Sequence, residues 1–131
     1  MLDITTDRSL SVLLVEDSKV LAERLSEVLS GMSGLDLTAV VDTEAAALGA
    51  VREGKIDVVL LDLHLRQGTG FGVLRGITKQ DKRPIVVVLT NYDLVEYRRT
   101  ATALGAQYFL DKVRDMDQLS DVMDKIRAGF N

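Results

Sequence analysis

The stretch Ile85-Val86-Val87-Val88-Leu89-Thr90 is an unbroken aliphatic run that ends on a hydroxyl. Most of its residues are β-branched, so it favours extended backbone. Because it does not alternate apolar with polar, both of its faces must be covered. Parallel strands inside an α/β protein meet that demand. Pro84 opens the run, a place where a missing N–H is tolerated. Val12–Val15 (VLLV) and Val58–Leu61 (VVLL) have the same character, and Leu35–Val41 and Gln107–Leu110 are weaker versions of it.

Segments with helical spacing lie between these runs. Leu21, Leu25, Val28, Leu29 and Met32 form one stripe over residues 18–32. The alanine-rich segment Thr43–Arg52 stops before Gly54. Phe71, Leu74 and Ile77 make a shorter stripe beside glycines, which weaken helices. Leu94, Ala101 and Leu104 mark a fourth helix that ends at Gly105. Leu119, Val122, Met123, Ile126 and Phe130 mark a fifth, with Asp115 and Gln118 spaced as a capping box before it. Strand then helix, five times over, predicts a doubly wound α/β fold with a five-stranded parallel sheet and five helices. Residues 1–9 read as a flexible N-terminal arm and residues 10–131 as one domain.

Composition narrows the chemistry. The chain has 131 residues, no cysteine and one histidine, so a thiolate metal site or a disulfide framework is ruled out. A net charge of −4, with a basic run from Lys79 to Arg83 that Asp81 interrupts, does not suit direct binding of nucleic acid. No apolar run approaches the ~18 residues of a membrane span, and Met1–Arg8 is too polar for a signal peptide. The expected setting is cytoplasmic.

In an open parallel sheet, ligands bind beyond the carboxyl ends of the strands. Glu16 and Asp17 follow the first strand, Asp62 the third, Thr90 the fourth and Lys112 the fifth. Clustered carboxylates repel one another, and a hard divalent cation such as Mg2+ relieves that repulsion. The Lys112 ammonium and the Thr90 hydroxyl would then face an anion. A carboxylate beside Mg2+ can itself be the nucleophile in phosphoryl transfer. Each residue alone has an ordinary reading: Asp17 and Ser18 starting a helix, Thr90 and Asn91 capping one, Lys112 on the surface. It is their convergence on one rim that argues for a site. His64, in the loop after Asp62, is expected to be exposed and to contribute only its backbone carbonyl.

These residues carry a resemblance. V15-E16-D17-S18, D62-L-H-L with Gly70 beyond it, V88-L89-T90, and G105-A106 followed by Phe109 and Lys112 resemble the receiver domain of bacterial two-component response regulators, from Leu10 to Phe130. The resemblance implies a flavodoxin-like fold of the stand-alone, chemotaxis-regulator type. It implies a phosphorylation-activated signalling switch in which Asp62 takes a phosphoryl group from a sensor histidine kinase or a histidine phosphotransfer protein. Mg2+ would be held by Glu16, Asp17, Asp62 and the His64 carbonyl. Lys112 would pair with phosphoryl oxygens, and Thr90 and Phe109 would form the switch. Such a domain is not an enzyme beyond catalysing its own phosphoryl transfer and slow autodephosphorylation. It would act on a downstream protein, with homodimerisation through the helix 4–strand 5–helix 5 face as one route. Tyr97, Arg98 and Arg99 are candidates for that face, or for a solvated surface.

Three positions depart from the family pattern. Val113 stands where proline usually follows the lysine, so the family's cis peptide bond is not expected there. Arg66 replaces a common proline. Asn91 replaces a small residue and, with Tyr92, would crowd the phosphoryl site and slow exchange with solvent. Other classes fit less well. A phosphatase resembling the haloacid dehalogenase-like enzymes would need a second Asp where His64 stands. A flavodoxin-like electron carrier would need a Ser/Thr/Gly-rich phosphate loop where Glu16 and Asp17 stand. An unphosphorylated, receiver-like docking module remains the alternative.

Overall fold

The computed structural model describes residues 9–92 and 94–130. Strands β1 (Leu10–Val15), β2 (Leu35–Val41), β3 (Val58–Leu61), β4 (Ile85–Thr90) and β5 (Tyr108–Asp111) alternate with helices α1 (Lys19–Ser30), α2 (Glu44–Arg52), α3 (Gly70–Ile77), α4 (Val95–Ala103) and α5 (Leu119–Gly129). The sheet is parallel throughout, in the order β2-β1-β3-β4-β5. This is the expected doubly wound, flavodoxin-like architecture. Its strand order reverses between β1 and β3, so the crevice beyond those two strands is where a ligand is expected.

The unbroken aliphatic runs are explained by what covers them. Along the central strands, alternate side chains enter different cores. Val12, Leu14, Val58, Leu60, Val87 and Leu89 pack with Leu25 and Leu29 of α1 and with Leu119, Val122, Met123 and Ile126 of α5. Leu13, Val15, Val59, Leu61, Val86 and Val88 pack on the opposite face with Ala47 and Val51 of α2, Val73, Leu74 and Ile77 of α3, and Ala101 of α4. Each fully buried aliphatic side chain stabilises the fold by about 1.5–3 kcal/mol relative to exposure. β2 is an edge strand, and its residues alternate between half-buried and exposed, which is why its sequence signal is weaker.

Several local expectations need correction. Asp115 and Gln118 do not form a capping box. The Asp115 carboxylate instead accepts the Asp111 N–H (2.9 Å) and the Arg114 guanidinium (3.1 Å). A 3-10 turn, Met116–Gln118, then leads into α5 without a side-chain cap. Phe130 is 39% exposed because α5 ends at Gly129, before its ring can reach the core. Val28 and Leu94 are also exposed, Val28 at the edge of its stripe and Leu94 as the uncapped residue before α4. Tyr97 and Arg98 are half-buried, so of the trio with Arg99 only Arg99 is a solvated side chain. The described backbone contains no cis peptide bond. The proposed arm, residues 1–9, lies outside the described residues except for Ser9, and so does Asn131.

Candidate functional site

The sheet fixes the site through its last rungs. The Glu16 N–H donates to the Val41 carbonyl (2.9 Å), the Asp62 N–H to Val15 (3.0 Å) and the Lys112 N–H to Thr90 (3.0 Å). Each of these residues stands directly after its strand, and each is held by a bond that continues the parallel ladder. α1 then starts cleanly, with the Ser18 hydroxyl accepting the Leu21 N–H and Glu16 Oε2 accepting the Ser18 N–H (3.1 Å). α3 starts as close as possible to Asp62. A Cβ at Gly70 would lie 2.4 Å from the Asp62 carbonyl oxygen and 2.7 Å from Leu63 Cα. Only glycine allows that approach.

Carboxylate oxygens of Glu16, Asp17 and Asp62 all lie within 4.8 Å of one another. Glu16 and Asp62 are 3% and 7% exposed, while Asp17 is open to solvent. Lys112 reaches across from the end of β5, its ammonium donating to Glu16 Oε1 and to Asp62 Oδ2, the latter at 2.9 Å. Asp62 Oδ1 accepts a long bond from the His64 N–H (3.4 Å). Burial pushes the Glu16 carboxyl above the ordinary carboxylate range, against the hydrogen bonds from Lys112 and the Ser18 N–H. Burial works against the Lys112 charge, yet the hydrogen bond to Glu16 and the nearby Asp62 charge together raise its pKa. The ammonium therefore stays protonated where the carboxylates crowd. Buried charge is tolerated only when it is paired, and here one ammonium serves two carboxylates with a third alongside. An all-oxygen donor set of this kind fits a hard divalent cation such as Mg2+.

The other expected residues lie near this cluster without joining it directly. Thr90 is fully buried, and its hydroxyl accepts the Tyr92 N–H (3.3 Å). It meets Lys112 only through its backbone carbonyl. Phe109 is half-buried, with its ring beneath the Arg98 guanidinium. The His64 side chain is exposed as expected, but it has a neighbour: the Tyr92 ring, with centroids 3.8 Å apart. Tyr97 and Phe71 extend that aromatic group (5.6 Å, edge to face).

Sequence reasoning missed how the loop after Asp62 is held. Arg66 forms a two-pronged ion pair with Asp42, at 2.9 and 3.3 Å. The Thr69 N–H donates to the Glu44 carboxylate (3.0 Å). The partners are 24 and 25 residues apart in the chain, so no local periodicity could have revealed them.

The family model of the response regulator receiver domain matches residues 12–124. The chain belongs to that family. The receiver is 42% identical over 118 residues to the DNA-binding response regulator MtrA of Mycolicibacterium smegmatis, covering 90% of this chain and 51% of the relative. It is 29% identical over 114 residues to the sensory transduction protein LytT of Enterococcus faecalis, covering 87% and 46%. The receiver thus spans about half the length of these curated relatives. Its fold is that of a chain in the CheX–CheY–BeF3–Mg2+ complex from Borrelia burgdorferi, with a TM-score of 0.82 at 20% identity, covering 99% of this chain and 96% of that one. No helix among the receiver's described residues is long and apolar enough to cross a membrane.

Proposed function

We propose that this receiver is a phosphorylation-driven signalling switch in which Asp62 is the phosphoacceptor. The donor is a phosphohistidine of a sensor histidine kinase or of a histidine phosphotransfer protein. The observation that carries this reading is the Lys112 ammonium held 2.9 Å from Asp62 Oδ2 beside the Glu16 and Asp17 carboxylates. In the transfer, an Asp62 carboxylate oxygen attacks phosphorus and a P–O bond forms. The P–N bond to the donor imidazole breaks, and its electron pair returns to the ring nitrogen. Glu16, Asp17, Asp62 and the His64 carbonyl would hold Mg2+, which supplies positive charge against the phosphoryl oxygens when bound. Lys112, already desolvated and charged, needs only to turn from the Asp62 carboxylate to a phosphoryl oxygen.

The switch then follows from two contacts that must change. Thr90 gives up the Tyr92 N–H to turn its hydroxyl toward the phosphoryl group. Phe109 leaves the Arg98 guanidinium and moves inward behind Thr90. New charge at one residue thus biases a small two-state element, the general form of such devices. The rearranged α4–β5–α5 face would engage a downstream protein or a second copy of the chain. A light-scattering mass that stays monomeric in the activated form would remove the second-copy reading.

The central test uses amide NMR with beryllofluoride, a stable phosphoryl mimic, with and without Mg2+. Saturable, Mg2+-dependent shifts at Asp62, Thr90 and Phe109 are expected, and Asp62→Ala should abolish them. A folded protein whose spectrum does not respond would overturn the phosphoacceptor reading and leave the docking module in its place.

A further inference from the structure

The loop between β3 and α3, residues 62–69, carries the carbonyl of His64. Surface loops of this kind are ordinarily among the more mobile parts of a fold. A metal ligand on such a loop is useful only if its position is held to a fraction of an ångström. In this chain the loop lies against the connection between β2 and α2. The Arg66 N–H donates to the Asp42 carbonyl (3.2 Å), and the Arg66 guanidinium grips both carboxylate oxygens of the same residue. One residue further along each segment, Thr43 and Gln67 form a parallel β-bridge, and the N–H of the next residue, Glu44, donates to the Gln67 carbonyl (3.0 Å). The Glu44 carboxylate then accepts the Thr69 N–H (3.0 Å). Gly68 and Gly72 leave room for it: a Cβ at either position would come within 2.4 Å of a Glu44 side-chain atom.

Asp42 and Thr43, with Glu44 at the start of α2, thus act as a short template for the loop tip. The Arg66 guanidinium first, by hydrogen bonding and then by its charge, holds the Asp42 carboxyl below the ordinary carboxylate range, in keeping with a formed pair. The geometry points to a clamp: Asp42, Glu44 and Arg66 are positioning residues that hold the His64 carbonyl where a cation at Glu16, Asp17 and Asp62 can use it. This inference rests on the reading of those carboxylates as the cation site.

The clamp is tested by titrating the intact chain with Mg2+, following its amide resonances in the wild type, Arg66→Ala, Asp42→Ala and the double variant. Arg66→Ala and Asp42→Ala should each weaken the apparent Mg2+ Kd by about 3- to 10-fold, less than the 10–100-fold typical when a partner bonds a metal ligand directly. The double variant should be no weaker than either single one, because both remove the same contact. Amides 64–68 should lose hydrogen-exchange protection in the variants while global unfolding stays put. The charge-swapped pair Asp42→Arg with Arg66→Asp should recover most of the affinity. Both side chains are about half exposed, so none of these changes threatens folding. A wild type that binds Mg2+ and an Arg66→Ala variant that binds it equally, with unchanged loop protection, would overturn the clamp and leave the cation site standing. A folded wild type that binds no Mg2+ would overturn the site reading and the clamp with it.

Discussion

The Arg98 guanidinium lies 4.5 Å from the centroid of the Phe109 ring, and its Nη1 donates to the Phe109 backbone carbonyl at 3.3 Å. One side chain of α4 therefore holds both the ring and the backbone of the residue expected to move in the switch. A cation over an aromatic face contributes roughly 0.5–1 kcal/mol, and a hydrogen bond adds about as much. Arg98→Ala should lower unfolding free energy by about 1–2 kcal/mol in urea titrations. It should also shift the Phe109 ring resonances toward their beryllofluoride-bound positions before any phosphoryl mimic is added. Ring resonances that stay in place would show that Arg98 only packs there.

Lys112 is the cation that keeps Glu16 and Asp62 compatible with burial. Removing one partner of a buried charge pair typically costs about 3–5 kcal/mol. Lys112→Ala should show a loss near the lower end of that range in Mg2+-free buffer, since a carboxylate can take up a proton in response. Added Mg2+ should stabilise the variant more than the wild type, because the ammonium no longer competes for the same oxygens. At a hundredfold excess over Kd, a ligand adds about 2.7 kcal/mol. Denaturation midpoints with and without Mg2+ measure both effects, and an equal Mg2+ response in the two proteins would count against a shared binding set.

Two glycines should respond to alanine with opposite signs. At Gly70 the new Cβ meets Asp62 and Leu63 backbone, which cannot yield as a flexible side chain would. Gly70→Ala should destabilise by about 1–3 kcal/mol and disturb the Asp62 and Leu63 amides. At Gly49, in the body of α2, a Cβ would meet nothing within 4 Å. Gly49→Ala should stabilise by about 0.5–1 kcal/mol. Thermal and urea unfolding of the two variants decide the matter.

Asp115 contributes to the acid limb of stability. The Arg114 guanidinium first, and then the Asp111 N–H, hold its carboxyl below the ordinary value of 3.8. A group whose folded pKa is depressed contributes stability above its unfolded pKa and loses it as pH falls through the folded pKa. Asp115→Asn should therefore unfold more easily than the wild type at neutral pH. The gap should close as pH falls below about 3.8. A gap of constant size across that range would mean that the carboxylate charge is not what matters.

Tyr92 and Asn91 follow Thr90 at the end of β4 and are both exposed, with the Tyr92 ring resting on His64. The end of β4 lies beside the end of β3 that carries Asp62, so the two residues are expected to crowd an acyl phosphate there and slow its contact with solvent. Asn91→Ala should speed dephosphorylation of the loaded protein several-fold, read from the decay of phosphorylated protein on phosphate-affinity gels. An unchanged decay would remove crowding by Asn91 as a factor.

The central fold could be read from the sequence because burial on both faces leaves an unmistakable trace in runs such as VVLL and IVVVL. The convergence of Glu16, Asp17, Asp62 and Lys112 could also be read, because each stands within two residues of the end of a strand and the topology brings those ends together. Side-chain direction could not. That Thr90 closes β4 could be read, but not that its hydroxyl accepts the Tyr92 N–H, the contact it would leave to face an anion. The capping box at Asp115 failed because a nearer donor, the Asp111 N–H, captured the carboxylate. Arg66 stood out only as a missing proline. Its use depends on Asp42, in a connection that becomes its neighbour only when β1 lies between β2 and β3.

The rungs that hold Glu16, Asp62 and Lys112 belong to the same ladder as the strands themselves. The Asp62 rung joins the central strands β1 and β3, whose side chains fill both cores, so its amide should rank with the slowest-exchanging in the molecule, ahead of the Glu16 and Lys112 amides that pair across the edge strands. The acidic rim therefore does not melt ahead of the body that carries it. On heating, the capacity to gather those charges should persist up to the global transition and disappear with it, while the exposed loops around the rim loosen at lower temperatures.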